Sequence, residues 1–134
     1  MSSSRRSCMV AAIVAATLAS ASPGLAAERV PFDQSRFAAA QEAGKPILVD
    51  IAASWCPTCQ AQKPIISEIM AKSEYATLVV FQVDFDSQKD VVRRFGARLQ
   101  STLIVFKGRR EVARSVGDSE RRSIERLIGT AFDS

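Results

Sequence analysis

The stretch Ile47-Leu48-Val49-Asp50-Ile51-Ala52-Ala53-Ser54-Trp55-Cys56-Pro57-Thr58-Cys59 decides how this chain is read. It begins as a near-continuous apolar run, the pattern of a strand buried on both faces of a sheet. It ends on two cysteines separated by two residues. Beyond them Ile65, Ile66, Ile69 and Met70 recur at helical spacing, so Pro57 to about Lys72 is expected to be a helix. Pro57 suits its first position, where a missing N–H costs little. A strand that feeds a helix through a short turn puts Cys56 at the helix N-terminus and Cys59 one turn on, on the same face. That spacing suits a disulfide, whose Cα atoms lie roughly 4.4–6.8 Å apart. It also suits redox chemistry. A helix N-terminus carries about half a positive charge and unpaired N–H groups, and both favour the thiolate, the nucleophilic form of cysteine.

Outward from this centre the chain alternates strands and helices. Val30 to Phe32 is expected as a short strand, Asp33 as a helix N-cap, and Gly44 as the stop of the helix that carries Phe37, Ala38, Ala40 and Gln41. Thr77 to Phe85 alternates and is rich in branched residues, so it reads as the next strand. Ser87 followed by Asp90 resembles a capping box ahead of a short helix to Arg94 or Phe95. Thr102 to Lys107 and Glu111 to Val116 form a hairpin around Gly108. Asp118 or Ser119 is the expected cap of a last helix with Ile124, Leu127, Ile128 and Ala131 on its apolar face. The order predicts an α/β sandwich with a mixed sheet in one domain.

The chain has 134 residues and a formal net charge of +4, two of those charges coming from Arg5 and Arg6. The other arginines are spread over several elements, which argues for a solvated surface and against nucleic acid as a partner. Histidine is absent, which excludes Ser-His triads and histidine metal sites. Arg5-Arg6, the apolar run Cys8 to Leu18 and the break at Pro23-Gly24 read as a secretory signal. The expected cut follows Ala27, with Ala21 as a second candidate. This divides the chain into a signal peptide, 1–27, and a single domain, 28–134, and an uncleaved membrane anchor is the alternative. Removing the segment removes Cys8 and leaves Cys56 and Cys59 alone. Two thiols make a poor zinc site, which would normally need four ligands. They form one structural bridge or a working redox couple. A bridge across two residues restrains little chain entropy, which favours the redox couple.

The region from Ile47 to Met70 resembles the active-site region of the thioredoxin superfamily: Ile-Leu-Val-Asp, then Trp-Cys-x-x-Cys, then Pro64 five residues past the second cysteine. Arg94-Phe95-Gly96-Ala97-Arg98, Thr102 to Gly108 and Val116-Gly117 extend the match over nearly the whole chain after Glu28. The resemblance implies a three-layer sandwich with a central mixed sheet flanked by helices. It implies Cys56 as nucleophile and Cys59 as a less exposed resolving thiol. Trp55, Pro57 and Thr58 would flank and tune the pair, with core packing as the alternative for Trp55. Asp50 interrupts an apolar strand and stands where thioredoxins keep a buried acid. Its implied role is to take the proton of Cys59, and a strand-edge aspartate facing water is the alternative. The family's accompanying strand lysine corresponds here to Gln82.

The chain departs from the family at Gln100-Ser101-Thr102, where Ser101 stands in the place of a cis-proline. A cis bond before a residue other than proline costs about 2.5–4 kcal/mol, so a trans bond and an altered loop are expected. Ser101 would bring an N–H and a hydroxyl close to the sulfurs, and Gln100 and Ser101 would share in holding substrate. The functional expectation is a periplasmic thiol–disulfide oxidoreductase. It would be a reductase of protein disulfides, monomeric, with no cofactor beyond its own disulfide, fed by a membrane thiol–electron donor. The alternatives are a periplasmic oxidant, or a binding or metal-binding module disabled by Ser101.

Overall fold

The computed structural model describes residues 25–134. Most of the expected signal peptide therefore lies outside the described residues. Among those described, no helix is long and apolar enough to cross a membrane.

The elements follow the expected order: β1 (Glu28–Pro31), α1 (Gln34–Glu42), β2 (Pro46–Ala52), α2 (Pro57–Met70), β3 (Val79–Asp84), α3 (Lys89–Arg94), β4 (Thr102–Lys107), β5 (Arg110–Val116) and α4 (Arg121–Gly129). Local chemistry explains most boundaries. The Asp33 carboxylate accepts the Arg36 N–H at 2.9 Å and starts α1. Gly108 turns the β4–β5 hairpin with φ +58°, and a Cβ there would meet Gln41 O and Gly44 Cα at 3.3 Å. Two expected caps are corrected. Ser87 does not cap α3, because its N–H and hydroxyl both donate to the Asp84 carboxylate at the end of β3. Asp118 and Ser119 do not cap α4. The Glu120 carboxylate does, accepting from Arg122 N and Ser123 N, while Asp118 accepts from Glu120 N.

The sheet order is β1-β3-β2-β4-β5. The first three strands are parallel, and β4 and β5 are antiparallel to their neighbours. β2 is thus central, and its alternation assigns side chains to two layers. Ile47, Val49 and Ile51 join Phe32, Phe37, Phe81 and Phe106 on one face. Leu48 joins Ile66 and Ile69 of α2 and Ile124 and Ile128 of α4 on the other. Asp50 shares the parity of Leu48, so it is carried to the α2 face, where the cysteines are. Ion pairs between Arg121 and Glu68 and between Lys72 and Glu125 tie α4 to α2 and the turn after it. Their exposure makes them minor contributors.

Candidate active site at the start of α2

Cys56 has extended backbone (φ −86°, ψ 112°) and is itself the N-cap of α2, with Pro57 behind it. Its Sγ accepts the Cys59 N–H at 3.1 Å, filling the place a serine or aspartate oxygen takes in an ordinary cap. Both cysteines are free thiols. The expectation that Cys59 is the less exposed of the two is corrected: Cys56 is 1% exposed and Cys59 6%. The cause is the cap, which turns the Cys56 sulfur inward beside Ala53 and Cys59. Exchange with a substrate disulfide therefore requires the Cys56 sulfur to be uncovered as the substrate docks. Pro57 is exposed and Thr58 half-buried on the first turn.

Asp50 is buried, at 6% exposure, and pairs in register with Gln82 of β3. Burial raises the Asp50 carboxyl to about 6, against the opposing pull of the Arg29 and Lys63 charges. Cys59 is raised to about 11, first by burial and then by its hydrogen bond to Cys56, while the main-chain N–H groups of Ala53 and Ser101 pull it down. Asp50, Cys59, Lys63 and Gln82 line one open cleft of about 430 Å³, wide enough for water. A thiol that holds its proton tightly thus shares a cleft with a carboxylate that is largely ionised at neutral pH. Lys63 was not singled out from the sequence. Its spacing of four from Cys59 on α2 was the available signal.

Trp55 is 57% exposed, which rules out core packing. Its indole N–H donates to Asp86 Oδ2 at 2.8 Å across the β3–α3 turn. Asp86 is held in turn by its own N–H to the Asp84 carboxylate. The ring is therefore fixed beside the cysteines while its surface stays in solvent.

The Ser101 loop carries the family departure. No cis peptide bond occurs among the described residues, as expected for serine at this position. Ser101 has φ +56°, the left-handed region that costs a residue with a Cβ about 1–2 kcal/mol. Its hydroxyl donates to Gln100 O at 2.6 Å, so it is committed to its own loop. The Ser101 carbonyl accepts from Gly117 N at 3.0 Å and from Gln62 Nε2 at 3.3 Å. Gln100 is half-buried beside it. The exposed apolar side chains Leu99 and Val116 flank the loop, Val116 pairing with Thr102 in register. Among the described residues, no group of three or more His, Cys, Asp or Glu side chains gathers to hold a metal ion.

The thioredoxin family model matches residues 29–130. The chain is similar to a thioredoxin of Chlamydia muridarum, 35% identical over 82 residues, which span 61% of this chain and 78% of that one. It is similar to a thioredoxin of Alicyclobacillus acidocaldarius, 31% identical over 91 residues, 68% of this chain and 86% of that one. Among solved structures it resembles Trxlp from Edwardsiella tarda, with a TM-score of 0.72 and 35% identity over 76% of this chain and 97% of that one.

Proposed function

We propose, from the premise that this chain belongs to the thioredoxin family and is a thiol–disulfide oxidoreductase, that it works as a reductase of protein disulfides in the periplasm. The Cys56 thiolate attacks one sulfur of the substrate disulfide. That bond breaks, a Cys56–substrate disulfide forms, and the departing substrate sulfur takes a proton from solvent. Cys59 then gives its proton to Asp50, directly or through water in the cleft, and its sulfur attacks Cys56. The Cys56–Cys59 bond forms and the second substrate sulfur leaves. Two electrons have passed from the dithiol to the substrate.

The observation that carries the second step is the shared cleft of Asp50 and Cys59, with the carboxyl near 6 and the thiol near 11. The reducing direction is supported by the surroundings of Cys56. One main-chain N–H faces its sulfur, Pro57 withholds its own, and no histidine stands between the cysteines. A strong oxidant needs a strongly stabilised reduced form. Trp55, Pro57, Thr58 and the Gln100–Ser101 loop would receive the client chain. A signal peptide ending at Ala27 would export the domain, and a membrane thiol carrier would re-reduce it as a monomer.

The test is the reduction potential of the Cys56–Cys59 couple against glutathione. A value near about −270 mV, that of thioredoxin, supports a reductase, and one near about −120 mV makes the protein an oxidant. Insulin reduction with a regenerating donor, abolished by Cys56→Ser, separates either enzyme from a binding module. N-terminal sequencing of the exported protein is expected to begin at Glu28.

A further inference from the structure

Gln62 lies on α2, three residues beyond Cys59, and is 1% exposed. Ile66 and Ile69 of the same helix are fully buried and aliphatic. The Gln62 amide is out of keeping with them, and it is only partly satisfied. Nε2 donates to Asp118 O at 2.7 Å and to Ser101 O at 3.3 Å, while Oε1 is buried with no partner among the described residues. An orphaned buried acceptor costs stability, so the side chain is not there for packing. What it does hold is specific. Two donors, Gly117 N and Gln62 Nε2, meet on the Ser101 carbonyl. Ser101 sits at φ +56°, a conformation serine does not favour unless its surroundings impose it. Gln62 stands one helical turn beyond Cys59, so the residue it grips lies close to that thiol, and the Ser101 main chain is among the groups that pull the Cys59 thiol down.

We propose that Gln62 is a positioning residue for the resolving thiol. By clamping the Ser101 carbonyl it keeps the Ser101 backbone turned so that its N–H supports Cys59 as that sulfur becomes an anion and attacks Cys56. The proposal rests on thiol–disulfide exchange at this pair and is independent of the direction in which electrons run. Asp118, which precedes α4, is gripped by the same amide, so α2, the Ser101 loop and the start of α4 are joined at one side chain.

The experiment follows single-turnover release of a chromophoric thiol from the Cys56 mixed disulfide of the full chain, from about pH 6 to about pH 12, so that the range brackets the Cys59 thiol at about 11. Gln62→Met keeps the length and the helix preference and removes the donor. It is expected to move the alkaline midpoint upward and to slow release below it about tenfold, the loss of roughly one hydrogen bond to an anion. In a Ser101→Pro background, which has no N–H to aim, adding Gln62→Met is expected to leave the midpoint where Ser101→Pro alone sets it. A lowered melting temperature with the midpoint unmoved, or a further shift in that background, would overturn the proposal. A measurement on the unsubstituted protein stands beside these. The amide resonance of Ser101 is expected to follow the titration of Cys59, and one indifferent to it would also overturn the proposal. Failure of the unsubstituted protein to release thiol would break the exchange reading instead, and the Ser101 resonance would then decide the role of Gln62.

Discussion

Under α1 and α3 the sheet buries interlocked phenylalanines; under α2 and α4 it buries Asp50 and Gln62 among its aliphatic side chains. On the first face the rings of Phe32, Phe37, Phe81, Phe95 and Phe106 meet at centroid distances of 5.4–6.1 Å, mostly edge to face. The contacts among these rings are apolar, and such pairs add about 0.5–1.5 kcal/mol each beyond the area they bury. The buried hydroxyl of Thr102 at the edge of this face is satisfied, donating to Leu99 O. On the second face a carboxyl sits close to the end of the strand, an amide leaves one atom unpaired, and a thiol serves as a helix cap. Both faces hold the sheet through buried apolar side chains, and the second also accepts a buried carboxyl and an unpaired amide oxygen, which work against stability. The proposed reactive groups lie on the face where replacing a buried polar side chain is able to stabilise the protein.

The strongest way to break this comparison is Phe37→Ala. Phe37 touches four other rings, so its loss is expected to cost about 3–5 kcal/mol by chemical denaturation. The reduction potential of the folded fraction should not move. A shifted potential would show that the two faces are coupled.

Asp50→Asn tests the opposite face, and its two effects have opposite sign. Release from the mixed disulfide is expected to slow about a hundredfold at neutral pH, because the proposed proton acceptor is gone. The rise in release rate through about pH 6 should vanish with it. Stability should increase. The folded carboxyl titrates near 6 and the unfolded one near 3.8, so between those values the native state binds the extra proton and stability falls as pH rises. That difference corresponds to about 3 kcal/mol above the window, which the asparagine variant would regain. Below about pH 4 the two proteins should have equal stability, and urea titrations at both pH values give the answer.

Lys63→Met is the smallest and sharpens the comparison. The Lys63 charge lowers the Asp50 carboxyl, so its removal should raise the acidic midpoint of release, with less than about a threefold change in rate well above it. An unmoved midpoint would leave Arg29 as the cation that matters.

The two faces also differ in how much of them could be read from residues in order. The aromatic face follows from the apolar runs Ile47 to Ile51 and Thr102 to Lys107 together with the helical spacing around Phe37. The β2–α2 unit, the Asp33 cap and the Gly108 turn were legible for the same reason: each depends on neighbours a few residues apart. The polar face was legible only where the motif marked it, at Cys56, Cys59 and Asp50. Trp55 was expected beside the cysteines, yet its partner Asp86 lies 31 residues away. Gln62 read as one more polar helix residue, because its partners Ser101 and Asp118 come from distant loops.

Short-range chemistry in the sequence thus determined the order of elements, the placing of the cysteine pair at a helix start and the trans bond at Ser101. These depend on steric limits and periodicities that hold within a few residues. Tertiary structure alone decided which cation stands near Asp50, how deeply Cys56 is buried, and what holds the Ser101 loop against the sulfurs. Each of those is set by desolvation and by hydrogen bonds between segments that only the folded sheet brings together.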